Sequence, residues 1–113
     1  MSFDPTIAPP ASAAGAVFFD RRELEAILQV YGRMVAAGEW RDYAMDGLRD
    51  VAVFSVFRRA SEAPLYRIEK RPGLARKQGA FAVLAPGNVV LKRGHELAQV
   101  LKVFDAKRFR VVE

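Results

Sequence analysis

The densest run of chemically committed side chains lies between Arg58 and Lys77. It holds Arg58, Arg59, Arg67, Lys70, Arg71, Arg76 and Lys77 against Glu62 and Glu69 alone. Guanidinium and ammonium groups in such excess suit phosphates, because each neutralised phosphate releases counterions and strengthens binding at low salt. Pro72-Gly73 forces a turn, so Arg71-Pro-Gly-Leu-Ala-Arg-Lys-Gln-Gly79 reads as a long hairpin loop tipped with positive charge. Lys92 and Arg93 extend the candidate set, and Tyr66 offers a ring on which an unpaired base could stack. The pattern is compositional, since no helix-turn-helix, zinc finger or RNA-binding motif surrounds it. Its plainer alternative is a loop and sheet edge kept soluble by charge.

Other chemistry is thinly supplied. His95 is the single histidine and could act as a base or ligand. With no cysteine, however, it cannot complete the usual zinc sets, and Glu96 and Asp105 stand at no motif spacing from it. Its position just ahead of Leu97 places it at the start of a last helix. Asp42, Asp46 and Asp50 recur every four residues and would share one face of a helix, where they could hold a divalent ion. Their surroundings read as strand and turn instead, which leaves them as scattered solvated acids. No Gly-x-Ser-x-Gly elbow and no glycine-rich phosphate cradle is present. The expectation is a nonenzymatic protein with no cofactor and no metal.

These residues must be carried by a small scaffold. At 113 residues, 51% apolar and 27% charged, the chain has the make-up of one folded domain with a core. The lack of cysteine fits a reducing compartment, and no apolar run approaches the roughly 20 residues of a membrane helix. A cytoplasmic protein without membrane contact is expected. Residues 1–16, with Asp4 and three prolines, lack the basic start and apolar stretch of a signal peptide and read as a disordered tail. Residues 17–113 form the expected domain. Charge is uneven along it: residues 1–50 stand at −3 and residues 51–113 at +8. That asymmetry favours an anionic partner.

The element order follows from periodicity. Leu24, Ile27, Leu28, Tyr31 and Val35 recur at helical spacing behind Asp20, whose partner Glu23 completes a capping-box pattern. Phe19 is placed to staple onto Leu24, and Gly38 to stop the helix near Ala37. Strands are expected near Arg41–Met45, over Val51–Phe57, Leu65–Lys70, Ala80–Ala85 and Val89–Lys92. Asp46-Gly47 is a hairpin signal, although that turn sets Asp42 against Val51, a poor match of faces. Val51–Phe57 is apolar on both faces, so it is either covered on both sides or meets a partner through Val51, Val53 and Phe57. Leu97, Val100, Leu101 and Phe104 return to helical spacing, and Phe109–Val112 could add a last strand. The fold class is α+β: an antiparallel β-meander of four to five strands, with an N-terminal and a C-terminal helix packed on one sheet face.

That order superficially resembles double-stranded RNA-binding domains, but Gly94-His95-Glu96-Leu97-Ala98 stands where those carry a lysine-rich helix start. A different resemblance covers nearly the whole folded part. The run Phe19-Asp-Arg-Arg-Glu-Leu, then Tyr31-Gly-Arg-Met-Val-Ala-Ala-Gly-Glu-Trp40-Arg-Asp-Tyr, and later Tyr66-Arg-Ile-Glu-Lys-Arg-Pro72, resembles a small alphaproteobacterial family known as a domain of unknown function. The resemblance implies a bacterial cytoplasmic protein and carries no activity or site residues. Two partner classes remain in view. One is nucleic acid or another polyanion at the basic segment; the other is a protein partner or homo-oligomer at the apolar sheet face.

Overall fold

Asp20 opens the first helix with both halves of the capping box in place. Its carboxylate accepts from the Glu23 amide and the Glu23 carboxylate accepts from the Asp20 amide, each at 2.8 Å. The helix, α1 (Arg21–Ala36), buries Ile27, Val30 and Met34. Gly38, at φ +79°, closes it: the Gly38 amide donates to the Val35 carbonyl and the Glu39 amide to that of Met34. This is the paired hydrogen-bond pattern of a Schellman ending. The structure, a computed structural model, describes residues 15–59 and 63–105. Residues 1–14 of the expected tail and the expected strand Phe109–Val112 lie outside the described residues.

Five strands come next in a meander: β1 (Asp42–Gly47), β2 (Ala52–Phe57), β3 (Tyr66–Lys70), β4 (Phe81–Ala85) and β5 (Val89–Gly94). Each pairs antiparallel with the next, in the spatial order β1-β2-β3-β4-β5. Among the described residues helix α2 (Leu97–Leu101) comes last, with Phe104 in a further turn beyond it. The expected α+β meander with a helix at either end is therefore the fold. The Asp46-Gly47 turn is not. The Leu48 amide donates to the Val51 carbonyl, so the chain reverses at Arg49-Asp50 and Asp42 lies opposite Phe57. The later turn lets β1 place Tyr43 and Met45 beside Val56 and Phe54, a match of faces that the earlier one denies.

Register sorts the sheet into two unlike faces. Phe54, Ile68 and Val83 lie opposite one another across three strands, and together with Val56 they face Ile27, Val30, Met34, Val100 and Phe104 of the helices. Trp40 is sealed in the same cluster, its ring 4.9 Å from that of Phe104 and edge-on to it. The other face carries two cross-strand rows. One runs Asp46, Val53, Glu69, Ala82, Arg93 and the second Ala44, Ser55, Arg67, Leu84, Val90. Between β3 and β4 the basic loop is folded, not slack. A 3₁₀ turn at Pro72–Leu74 leads into a coil whose Lys77, Gln78 and Gly79 amides all converge on the Leu74 carbonyl.

Two glycines give a direct test of this geometry. Both have positive φ, but a Cβ on Gly38 would meet open space, whereas one on Gly79 (φ +104°) would lie 2.2 Å from the Gly94 carbonyl carbon. Gly38→Ala should cost about 1–2 kcal/mol of unfolding free energy, the left-handed penalty alone. Gly79→Ala should cost more than about 3 kcal/mol in the same urea titration, because strain and a backbone collision add. Equal costs would contradict the packing of Gly79 on Gly94.

Tyr31 supplies a pH test. Its hydroxyl donates to the Arg41 carbonyl at 2.8 Å, and burial, with Asp42 and Tyr43 nearby, raises its pKa above the usual tyrosine range. The folded state therefore holds this proton longer than the unfolded state does. The contribution is fully present below the unfolded tyrosine pKa and is lost as pH rises through the folded one. Above about pH 10, stability should fall more steeply in the unaltered protein than in Tyr31→Phe, measured by denaturant titration.

Candidate functional site

The nine basic candidates do not form one patch, because the sheet divides them. Lys70 points to the helix side, where its Nζ donates to Glu23 Oε1 at 2.8 Å and to the Phe18 carbonyl at 2.9 Å. Arg58 pairs with Glu39 at 3.7 Å, next to Trp40. On the opposite face, Glu69 is buried with Arg71 at 3.1 Å and Arg67 at 3.8 Å, and Arg67 also donates to Asn88 Oδ1. Arg93 donates to the Gly79 carbonyl at 3.5 Å, beneath the end of the basic loop. The side chains of Arg59, Arg76, Lys77 and Lys92 are exposed and have no ion-pair or hydrogen-bond partner among the described residues.

Where the strands turn, charge gathers again. The β1–β2 turn and the β3–β4 loop stand side by side and enclose an open concavity of about 480 Å³. Arg49, Asp50 and Arg71 line it, together with Val17 and the Pro72–Leu74 turn. Arg76 and Lys77 sit on the same loop, and Arg93 anchors its far end. Arg71 uses its Nε on Glu69, which leaves guanidinium N–H groups for a ligand. Arginines and a lysine on neighbouring loops, with Asp50 as the acid among the lining groups, can hold an anion by charge-assisted hydrogen bonds. Arg49 is the residue that sequence reasoning missed. It becomes visible only when the turn moves from Asp46-Gly47 to Arg49-Asp50.

Other expectations resolve differently. Tyr66 is not a stacking platform: its ring lies 5.3 Å from Phe104 and 6.4 Å from Trp40, inside the helix-side aromatic cluster. Asp42 and Asp46 do share a face, but of a strand, where four residues separate them by about 13 Å, too far to chelate one ion. Among the described residues no group of three or more His, Asp or Glu side chains could hold a metal ion. His95 is exposed and lies ahead of α2. Of the apolar interface candidates, Val51 is buried just before β2, while Val53 and Phe57 are half-buried on the face opposite the helices. No helix of the described residues is long and apolar enough to cross a membrane.

Residues 17–101 match the family model described as "Protein of unknown function (DUF2794)", and the chain belongs to that family. No curated protein and no solved structure matches the chain.

The sorting of cations predicts separable effects. Lys70→Met should lower unfolding free energy by about 1–3 kcal/mol, since it strips a part-buried carboxylate of its charged partner. Arg76→Ala, exposed and unpaired, should leave it within about 0.5 kcal/mol. Thermal denaturation of both variants checks the contrast.

Proposed function

We propose that this member of the DUF2794 family is a nonenzymatic cytoplasmic binding module that engages nucleic acid or another polyanion at the turn end of its sheet. The observation that carries the reading is the convergence of Arg49 and Arg71 on one concavity, flanked by the loop that bears Arg76 and Lys77. Arg93 holds the base of that loop, so the cations are presented on a hydrogen-bonded frame rather than on slack chain. Preorganised donors lose less side-chain entropy on meeting a phosphate. The excess positive charge of residues 51–113 would steer an anionic ligand toward this end. No base-reading motif accompanies the cations, so contact is with the backbone and tolerant of sequence.

A second reading is favoured by a separate observation. Val53 and Phe57 remain half-buried on a sheet face against which the core cluster does not pack. Such a face suits a protein partner or a second copy of the chain.

Fluorescence anisotropy with a labelled single-stranded oligonucleotide, titrated across salt, separates the two. Binding should weaken linearly in log–log form, and Arg76→Ala/Lys77→Ala should reduce the slope by about 0.7 for each phosphate that is no longer neutralised. Lys70→Met should leave the slope unchanged. Absence of binding even at low salt removes the polyanion reading, and a dimer by light scattering that Phe57→Glu dissociates favours the second.

A further inference from the structure

Among the described residues β1 is an edge strand, exposed from Asp42 to Asp46. The Leu48–Val51 hydrogen bond sets the alternation of its ladder with β2. The amides of Ala44 and Asp46 therefore face β2, and those of Tyr43 and Met45 face outward. Pleating sends the side chains two ways as well. Tyr43 and Met45 lie on the helix side, each 46% exposed, with Tyr43 stacked on Phe54 at 4.8 Å. Beside Met45, a groove of about 260 Å³ is walled by Phe18, Phe19 and Leu24. Asp42 and Asp46 lie on the opposite side with Ala44 between them, and neither is ion-paired among the described residues.

This edge thus offers three things along one line: unpaired backbone groups, an apolar groove and two carboxylates four residues apart. A strand laid against it meets each in a fixed place. Its two positions beside Tyr43 and Met45 must be apolar, and one of those side chains has the groove to enter. The positions beside Asp42 and Asp46 must be cationic, and the one beside Ala44 is unconstrained. The complementary segment reads cation, apolar, any residue, apolar, cation. A second copy of the chain fits less well, because two-fold pairing of β1 about Ala44 sets carboxylate against carboxylate. A polyanion is repelled by the same two acids.

We propose that the β1 edge docks an extended segment of another protein that carries this five-residue pattern. The segment joins the sheet through the outward backbone groups of Tyr43 and Met45, with its cations along Asp42 and Asp46 and an apolar side chain among Phe18, Leu24 and Met45. Arg49 and Arg71 take no part, so this site stands or falls separately from the polyanion reading.

The probe is the capped pentapeptide Arg-Phe-Thr-Phe-Arg, whose pattern is the same in either chain direction. It is titrated at low salt into the full-length protein and followed by amide NMR and hydrogen exchange. The Tyr43 and Met45 resonances should shift saturably and their amides should exchange at least tenfold more slowly at saturation, with Ile68 unchanged. Replacing both arginines of the peptide by glutamate should weaken binding about tenfold, since two attractions become two repulsions. Asp42→Lys/Asp46→Lys should invert that preference, with an unshifted Ile68 resonance reporting an intact fold. No saturable shift along β1 would overturn the proposal, as would equal affinity for the two peptides or shifts confined to Arg49 and Arg71. Protection of Tyr43 and Met45 that rises with protein concentration in the absence of peptide would also overturn it, assigning the edge to a second copy.

Discussion

Burying Trp40 is the constraint on which the arrangement depends. Its ring meets Phe104 from beyond α2, Tyr31 from α1 and Tyr66 from β3, so one side chain draws helix, sheet and helix together. Tyr31 continues the cluster onto Phe54 and Tyr43, which stack at 4.8 Å. An indole, three phenols and two phenyl rings bring the largest apolar areas in the chain to one place. Both helices must then lie on the same sheet face. Most of the polar side chains that the strands carry at alternate positions are consigned to the other, with Lys70 and Lys92 the exceptions.

That division governs the electrostatics more than the composition does. Along β3, Arg67, Glu69 and, just beyond, Arg71 fall on one side while Lys70 falls on the other. A run of cations in sequence is thereby split into a structural pin, a self-neutralising cluster and a few free groups. Glu23 shows the same economy: one carboxylate completes the capping box of α1 and also receives Lys70, which ties the start of the helix to the sheet. Glu69 is shared between two arginines and is almost wholly covered. Apart from Lys92 within β5, the cations left for a ligand are those beyond the strand ends, where pleating no longer assigns them a side.

The sheet also has unlike edges. β1 pairs its exposed Tyr43 and Met45 with Asp42 and Asp46 on the reverse, whereas β5 carries Lys92 and Arg93 with a bulge opposite Val83 and Leu84. Acid on one edge and base on the other give the face a polarity that a net charge of +5 conceals. Inward-pointing charges and bulges are ordinary ways of discouraging strand-to-strand association.

Local signals were legible in the residues alone. The capping box, the glycine stop, the five strand segments and the spacing of Leu97, Val100, Leu101 and Phe104 depend on neighbours within one or two turns, where dihedral preference and periodicity decide. The α+β class followed from their order. Register was not legible, because Asp46-Gly47 and Arg49-Asp50 both make acceptable turns. Only the pairing of Met45 with Phe54, and of Phe54 with Ile68, selects between them. Nor could the sequence tell that Tyr66 is core, that Lys70 is a pin, or that Arg49 joins Arg71. Those assignments rest on contacts between residues far apart in the chain. The sequence by itself determined the basic loop and its frame of elements; which of its cations remain free was decided by burial of the aromatic cluster, which fixes the sheet's inner face and so the side of every alternating residue.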